Sequence, residues 1–224
     1  MKLLTGTFAA LSILAAASSV NAATIVNGGF ESSTLSPAEA AQMASQGFAT
    51  LTAGNNDLTG WSIGGAGIDY IGSYWVPAGG THSIDLNALS AGSIFQTIST
   101  VVGQAYEVSF DLAGNPDGAP KVKLAIADAS GQPGAAYFFD TTGKTKTNMG
   151  WTPFTYDFTA QSTSTTLTFS NSNQSGFKTP FGAALDNISI SAVPEPTSWA
   201  LMLVGFGGLG MAIRSRRSRV AACA

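Results

Sequence analysis

Charge, sulfur and imidazole are all scarce in this chain. Only 10% of its 224 residues are charged, it has one Cys and one His, and no Arg occurs before Arg214. The thiol, Cys223, is the penultimate residue, which removes an intrachain disulfide, a Cys-based zinc cluster and a Cys nucleophile from the body. His82 opens a strand-like run and has no Gly-x-Ser-x-Gly elbow to work with, so it reads as an exposed or hydrogen-bonded strand residue, not a triad base. Between Ala23 and Val193 five Lys face twelve Asp and Glu, a balance of −7. Nucleic acid is not an expected partner, because phosphate binding needs clustered cations. Glycosidase chemistry needs two facing carboxylates at a set separation. Asp69, Asp85, Asp111 and Asp117 are present, but spacing pairs none of them, and the chain is expected not to be an enzyme. What it does have is 26 Gly and 45% apolar residues, enough for a core of short strands joined by many turns.

The two ends read as addresses. Lys2, an apolar run from Phe8 to Ala17 and small residues up to Ala22 form a signal peptide over residues 1–22, cut by signal peptidase after Ala22. At the other end Trp199 to Ile213 carries no charge and is followed by Arg214, Arg216, Arg217 and Arg219. A helix over 199–213 is roughly 22 Å long against about 30 Å of hydrocarbon, a marginal span. The Arg cluster holds the tail in the cytoplasm and leaves the body outside. Pro194-Glu195-Pro196, then Trp199-Ala200, the apolar segment and the Arg tail resemble the PEP-CTERM sorting signal in its PEPxxWA variant. That resemblance implies an exosortase that cuts near the motif. The body would then be held transiently at the inner membrane, and afterwards reach the cell surface or an exopolysaccharide matrix.

Between the addresses, residues 23–192 alternate. Tyr106, Val108, Phe110 and Leu112 interleave with Glu107, Ser109 and Asp111. Phe154, Tyr156 and Phe158 do so with Thr155 and Asp157, and Val122, Leu124 and Ile126 with Lys121 and Lys123. Further strands are expected at 68–71, 83–86, 94–98, 136–139, 165–170 and 185–190. No helix-period segment lies between them, so the pattern predicts an all-β, antiparallel β-sandwich. One short helix is expected after Ser36-Pro37-Ala38-Glu39, ending at Gly47.

The body also resembles a known family. Asn27-Gly28-Gly29-Phe30-Glu31, Thr59-Gly60-Trp61, the run Ile68 to Trp75, Ser83-Ile84-Asp85-Leu86, the run Phe110 to Gly118, Met149-Gly150-Trp151 and Leu185-Asp186-Asn187-Ile188-Ser189 occur in that order. They are similar to the choice-of-anchor C proteins, themselves similar to the DUF642 proteins of plant cell walls. The resemblance implies a galactose-binding-like jelly roll over residues 25–191. It matches least well from Ser32 to Asp57.

Two constellations carry candidate chemistry. The resemblance implies that Glu31 and Asp186, on side-by-side terminal strands, hold a structural Ca²⁺. The other reading is that they cap loops through backbone amides. The second constellation is aromatic: Trp61, Tyr70, Tyr74, Trp75 and Trp151 offer ring faces to sugar C–H faces, with Asn87, Asn115 and Asp117 to fix hydroxyls. Trp61 and Trp151 each follow a Gly at a strand start and are expected in the core. Tyr74 and Trp75, before Val76-Pro77-Ala78-Gly79-Gly80, are the candidates for a ligand. The chain therefore reads as an exported carbohydrate-binding-like module, or alternatively as a structural or adhesive matrix protein. With a balance of −7 the expected glycan is a neutral polysaccharide, unless Lys121, Lys123, Lys144, Lys146 and Lys178 gather on one face.

Overall fold

The computed structural model describes residues 22–171, 178–194 and 202–208. The signal peptide expected over 1–22 therefore lies outside them save for Ala22, as do Glu195, Pro196, Trp199, Arg214, Arg216 and Arg217 of the sorting signal. Of the span expected over 199–213 only the helical residues 202–208 are described. Among the described residues no helix is long and apolar enough to cross a membrane.

The first element is α1 (Pro37–Gln46), with both halves of the expected capping box formed. The Ser36 side chain accepts from the Glu39 amide and the Glu39 carboxylate accepts from the Ser36 amide. Gly47 ends the helix at φ 81°, a left-handed value that glycine takes without strain. Eleven strands follow: β1 (Phe48–Leu51), β2 (Ser62–Gly65), β3 (Ile68–Ile71), β4 (Ser83–Asp85), β5 (Gly92–Ser99), β6 (Ala105–Gly114), β7 (Val122–Ala129), β8 (Ala135–Asp140), β9 (Thr152–Thr159), β10 (Ser164–Ser170) and β11 (Ala183–Ala192). They form two antiparallel sheets, ordered β1-β3-β4-β11-β6-β9 and β2-β5-β10-β7-β8. From β4 to β11 successive strands alternate between the sheets, except that β7 and β8 pair as neighbours in the five-stranded sheet, which gives the double Greek-key order of a jelly roll. The expected all-β sandwich with one short helix is thus observed.

The core lies between the sheets. Val108, Phe110 and Leu112 of β6, Tyr156 and Phe158 of β9, and Leu167 and Phe169 of β10 point into it, as alternation predicts. One strand is inverted. On β7 the core residues are Lys123, Ala125, Ala127 and Ala129, while Val122 is exposed and Ile126 half-exposed on the outer face. Small alanines fit beneath the large aromatics of the facing sheet, and Val122 and Ile126 are left to the outer face, where Leu124 is covered. The edge strand β1 comes from the poorly matched stretch before Asp57 and pairs with β3 from Phe48↔Ile71 to Leu51↔Ile68.

An alternating two-sheet fold sorts its connections. Those after β4, β6, β8 and β10 lie at one end, and those after β5, β7 and β9 at the other. The β3–β4 connection, residues 72–82, does neither. It folds over the outer side of the six-stranded sheet, where the Ala78 and Gly79 amides meet Asp186 of β11.

Candidate functional site

Two carboxylates strap this 72–82 connection down. Asp186 Oδ2 accepts from the Ala78 and Gly79 amides at 2.9 and 3.0 Å, and its Oδ1 accepts from the Asn187 amide at 2.7 Å. Glu31 Oε1 accepts from the Thr81 and His82 amides at 2.8 and 3.0 Å. Its Oε2 takes the Thr81 hydroxyl at 2.6 Å and lies 3.2 Å from His82 Nδ1. Each carboxylate has a left-handed non-glycine neighbour, Phe30 at φ 60° and Asn187 at φ 52°. Such conformations cost on the order of 1–3 kcal/mol and persist only where surrounding contacts hold them. Here they aim both carboxylates at the same connection. Gly80 completes the fit: at φ 57°, a Cβ on it would sit 2.1 Å from Glu31 Oε1.

The two carboxyls differ electrically. Burial pushes Asp186 up to about 6 against its amide donors. Burial also works on Glu31, but the hydroxyl and amide of Thr81 and the contacts with His82 outweigh it and hold the group at about 2. Every oxygen of both groups accepts from an N–H or O–H or faces an imidazole nitrogen, so in this arrangement the pair caps a loop, and among the described residues no three His, Cys, Asp or Glu side chains gather to hold a metal ion.

The strap sorts the aromatic candidates. Trp75 turns inward. It is 3% exposed and its indole N–H donates to Ser83 Oγ at 2.8 Å, so it packs with the core, while still lining the inner side of the concavity beside Tyr74. Trp61 is buried as expected, its N–H on the Asn27 carbonyl. Trp151 is half-buried and donates to the Val76 carbonyl at 2.9 Å. Asn115 is buried too, and both ends of its amide are used: Nδ2 donates to Asp85 and Oδ1 accepts from the Asp117 amide. It supports Asp117 and does not face solvent.

Tyr74 and Asp117 do meet. The Tyr74 hydroxyl donates to Asp117 Oδ2, and Lys146 binds the same oxygen at 2.8 Å with its ammonium 3.6 Å from the Tyr74 ring centre. Burial raises the Tyr74 phenol and Asp117 raises it further. Lys146 and Tyr74 hold the Asp117 carboxyl below the usual range despite its partial burial. The connections after β3, β6 and β8 are thereby tied at one point.

Two features behind Tyr74 carry no sequence motif. The Gly47 carbonyl accepts from the Gly72 and Tyr74 amides, and Phe48 meets the Tyr74 ring edge-on at 5.3 Å. The helical insertion before Asp57 is therefore the backing of the site. Beside Tyr74 opens a concavity of about 540 Å³ lined by Val76, Pro77, Thr81, His82, Lys146 and Thr147 among others. His82 stacks flat on buried Tyr70, with 4.9 Å between ring centres and 6° between planes. An apolar floor with a hydroxyl, an imidazole and an ammonium at its rim suits a polar, ring-shaped ligand.

Beneath this lies a polar cluster. Asp85 accepts from Asn115 Nδ2, the Asn87 amide and the Gly182 amide at 2.9, 2.9 and 3.0 Å, and burial raises it well above the usual range. Lys123, 2% exposed, donates to the Gly118 and Phe181 carbonyls, and burial lowers it to about 8.

A jelly-roll sandwich with a ligand-sized concavity beside its loops defines the class. Within it, the chain belongs to the DUF642 family, described as proteins of unknown function, whose model matches residues 23–191. A PEP-CTERM protein-sorting motif matches residues 192–217. Halomucin of Haloquadratum walsbyi is 34% identical over 155 residues, which is 67% of this chain and only 2% of halomucin's length. Among solved structures, TmCBM61 in complex with β-1,4-galactotriose is 14% identical and has a TM-score of 0.41, over 75% of this chain and 96% of that one. A family 35 carbohydrate-binding module from Clostridium thermocellum is 12% identical with a TM-score of 0.41, over 63% and 97%.

Proposed function

We propose that the protein is an exported, surface-sorted, non-catalytic carbohydrate-binding module, processed by an exosortase at its sorting motif and working in the cell envelope or an exopolysaccharide matrix. Its finer placement among the choice-of-anchor C proteins is part of this proposal. The observation that carries it is the concavity beside Tyr74, whose wall is held rigid by Glu31, Asp186 and the Tyr74–Asp117–Lys146 contact. Rigid walls lower the ordering cost of binding a polar ligand. A binding role is supported over catalysis because among the described residues no carboxyl lines the concavity, and Glu31, Asp117 and Asp186, which hold its wall, are all occupied by donors.

A glycan array probed with the full chain and with Tyr74→Ala tests this. Binding by the parent that weakens roughly 5- to 100-fold in the variant, the worth of one aromatic side chain, is the expected result. No signal on any glycan from a folded parent favours the second reading, a structural or adhesive matrix protein. One observation speaks for that reading: Phe138, 60% exposed, shares the outer face of the five-stranded sheet with exposed Val122, an apolar surface suited to another protein.

A further inference from the structure

We infer that the ligand is an acidic polysaccharide, gripped by lysines that the jelly-roll topology collects at one end of the sandwich; this rests on the binding reading above and names its substrate class. The body is acidic overall, yet all five of its lysines lie in or at the foot of three connections of the same end. Lys121 and Lys123 stand at the β6–β7 connection, Lys144 and Lys146 in the β8–β9 connection, and Lys178 in the β10–β11 connection. Their electrical proximity is visible in their neighbours. Lys121 and Lys146 both act on Asp117, Lys121 and Lys144 both act on Asp140, and Lys121 acts on Lys123. Lys178 joins them through Thr179, whose hydroxyl donates to the Ala119 carbonyl.

Few acids offset this charge. Asp117 is taken by Lys146 and Asp85 is buried, while exposed Asp140, held by the Thr142 amide and hydroxyl, offsets one ammonium. Among the described residues Lys121, Lys144 and Lys178 have no carboxylate within 4.0 Å. At the opposite end no lysine is present among the described residues, and Glu107 and Asp157 stand opposite each other on β6 and β9. At physiological ionic strength charges are screened over about 8 Å, so a polymer touching the lysine end feels those ammoniums and not the net charge of the body. The exception attached to a neutral glycan, a gathering of these lysines on one face, is thus the case this inference takes.

The chemistry favours carboxylated sugars. Ammonium groups on flexible stems act as point charges and suit carboxylates repeated along a chain, whereas bidentate phosphate recognition calls for Arg, which the body lacks. The concavity at Tyr74 and Lys146 adjoins the cluster, so one pyranose can pack on Val76 and Pro77 while its neighbours' carboxylates meet the lysines.

The test is affinity electrophoresis of the full chain in gels containing polygalacturonate, neutral β-1,4-galactan or dextran sulfate, at low and at 0.3 M salt. The triple variant Lys121→Gln, Lys144→Gln, Lys178→Gln runs beside it, and since two of these side chains are exposed and the third half-exposed, the fold is expected to survive. Retardation by polygalacturonate that falls at least tenfold in the variant, and falls with salt, is the expected result. Equal retardation of parent and variant in polygalacturonate overturns the inference. Retardation in galactan alone overturns it and leaves the binding module standing, while none in any gel overturns both. Stronger retardation by dextran sulfate than by polygalacturonate replaces the carboxylate preference with unselective charge binding and counts against the inference. A sedimentation assay with anionic phosphatidylserine vesicles separates the membrane alternative: capture of the parent there, with none in polygalacturonate, also overturns it.

Discussion

The two ends of the sandwich both close strands into connections, but with different chemistry. At the end opposite the lysines the turns are short and tyrosine hydroxyls complete them. Tyr106 accepts from the Val101 amide, and Tyr156 accepts from the Ala129 amide and donates to the Pro133 carbonyl. Each of those rings is also core, so packing and hydrogen bonding come from one side chain. At the lysine end the connections are long, and their order comes from buried Asp85, Asn87, Asn115 and Lys123. A polar cluster of this kind holds loops in shapes that local turn chemistry would not select, but losing one member strands the others. One end is built for closure, the other to hold a surface.

The largest effect expected from that difference is at Asp85. Asp85→Ala leaves Asn115 Nδ2 and two buried amides without an acceptor, and should cost about 3 kcal/mol or more in urea unfolding. A loss under 1 kcal/mol would mean the cluster does not hold the loop end.

Next comes pH. Asp69 and Asp186, both buried, sit at about 6 in the fold against 3.8 as free groups. A raised folded value means the fold prefers the proton, so their contribution is complete below about pH 4 and is lost as pH rises through 6. Glu31, depressed to about 2 from 4.5, works in the other direction, but its contribution is intact above pH 4.5. Across pH 5 to 7 stability, and with it the melting temperature, should therefore fall as pH rises, by about 1.3 kcal/mol per buried carboxyl. Asp69→Asn should flatten the slope; an unchanged slope would place the titration elsewhere.

At the opposite end Tyr156→Phe keeps the ring and removes two hydrogen bonds, for about 1 kcal/mol by thermal melting. If it cost as much as Asp85→Ala, the contrast between the ends would be wrong. The smallest effect is expected from chelation: with every Glu31 and Asp186 oxygen engaged, excess EDTA should leave the melting curve unmoved. A clear fall would restore the metal reading.

Local patterns were legible and distant encounters were not. Ser36, Glu39 and Gly47 mark the helix within a few residues, because a cap is a short-range object. Strand alternation is equally local, and it failed on β7 because Ala at 125, 127 and 129 signals neither face, while Val122, Leu124 and Ile126 look like core. Trp75 looked available because a Pro-Gly-Gly run follows it. What holds its connection over it is the pair of straps from Glu31 and Asp186, 44 and 111 residues from Trp75 along the chain. The lysine cluster depends on topology in the same way, joining Lys121 to Lys178 only once β6, β8 and β10 are known to run toward one end.

The course of β11 has a consequence for how the molecule is presented. It enters at Ala183 among the lysine-bearing connections, pairs along β6 and leaves at Ala192 opposite Tyr106; the Val193 amide then closes on the Ala105 carbonyl. Ten residues of strand span about 33 Å. The sorting segment thus departs from the far pole, with Gln104 holding the Val193 carbonyl like a mooring at the base of a mast. Anything that tethers the chain beyond Val193 raises the Tyr74 and lysine face outward by the full height of the sandwich, toward whatever lies beyond the cell.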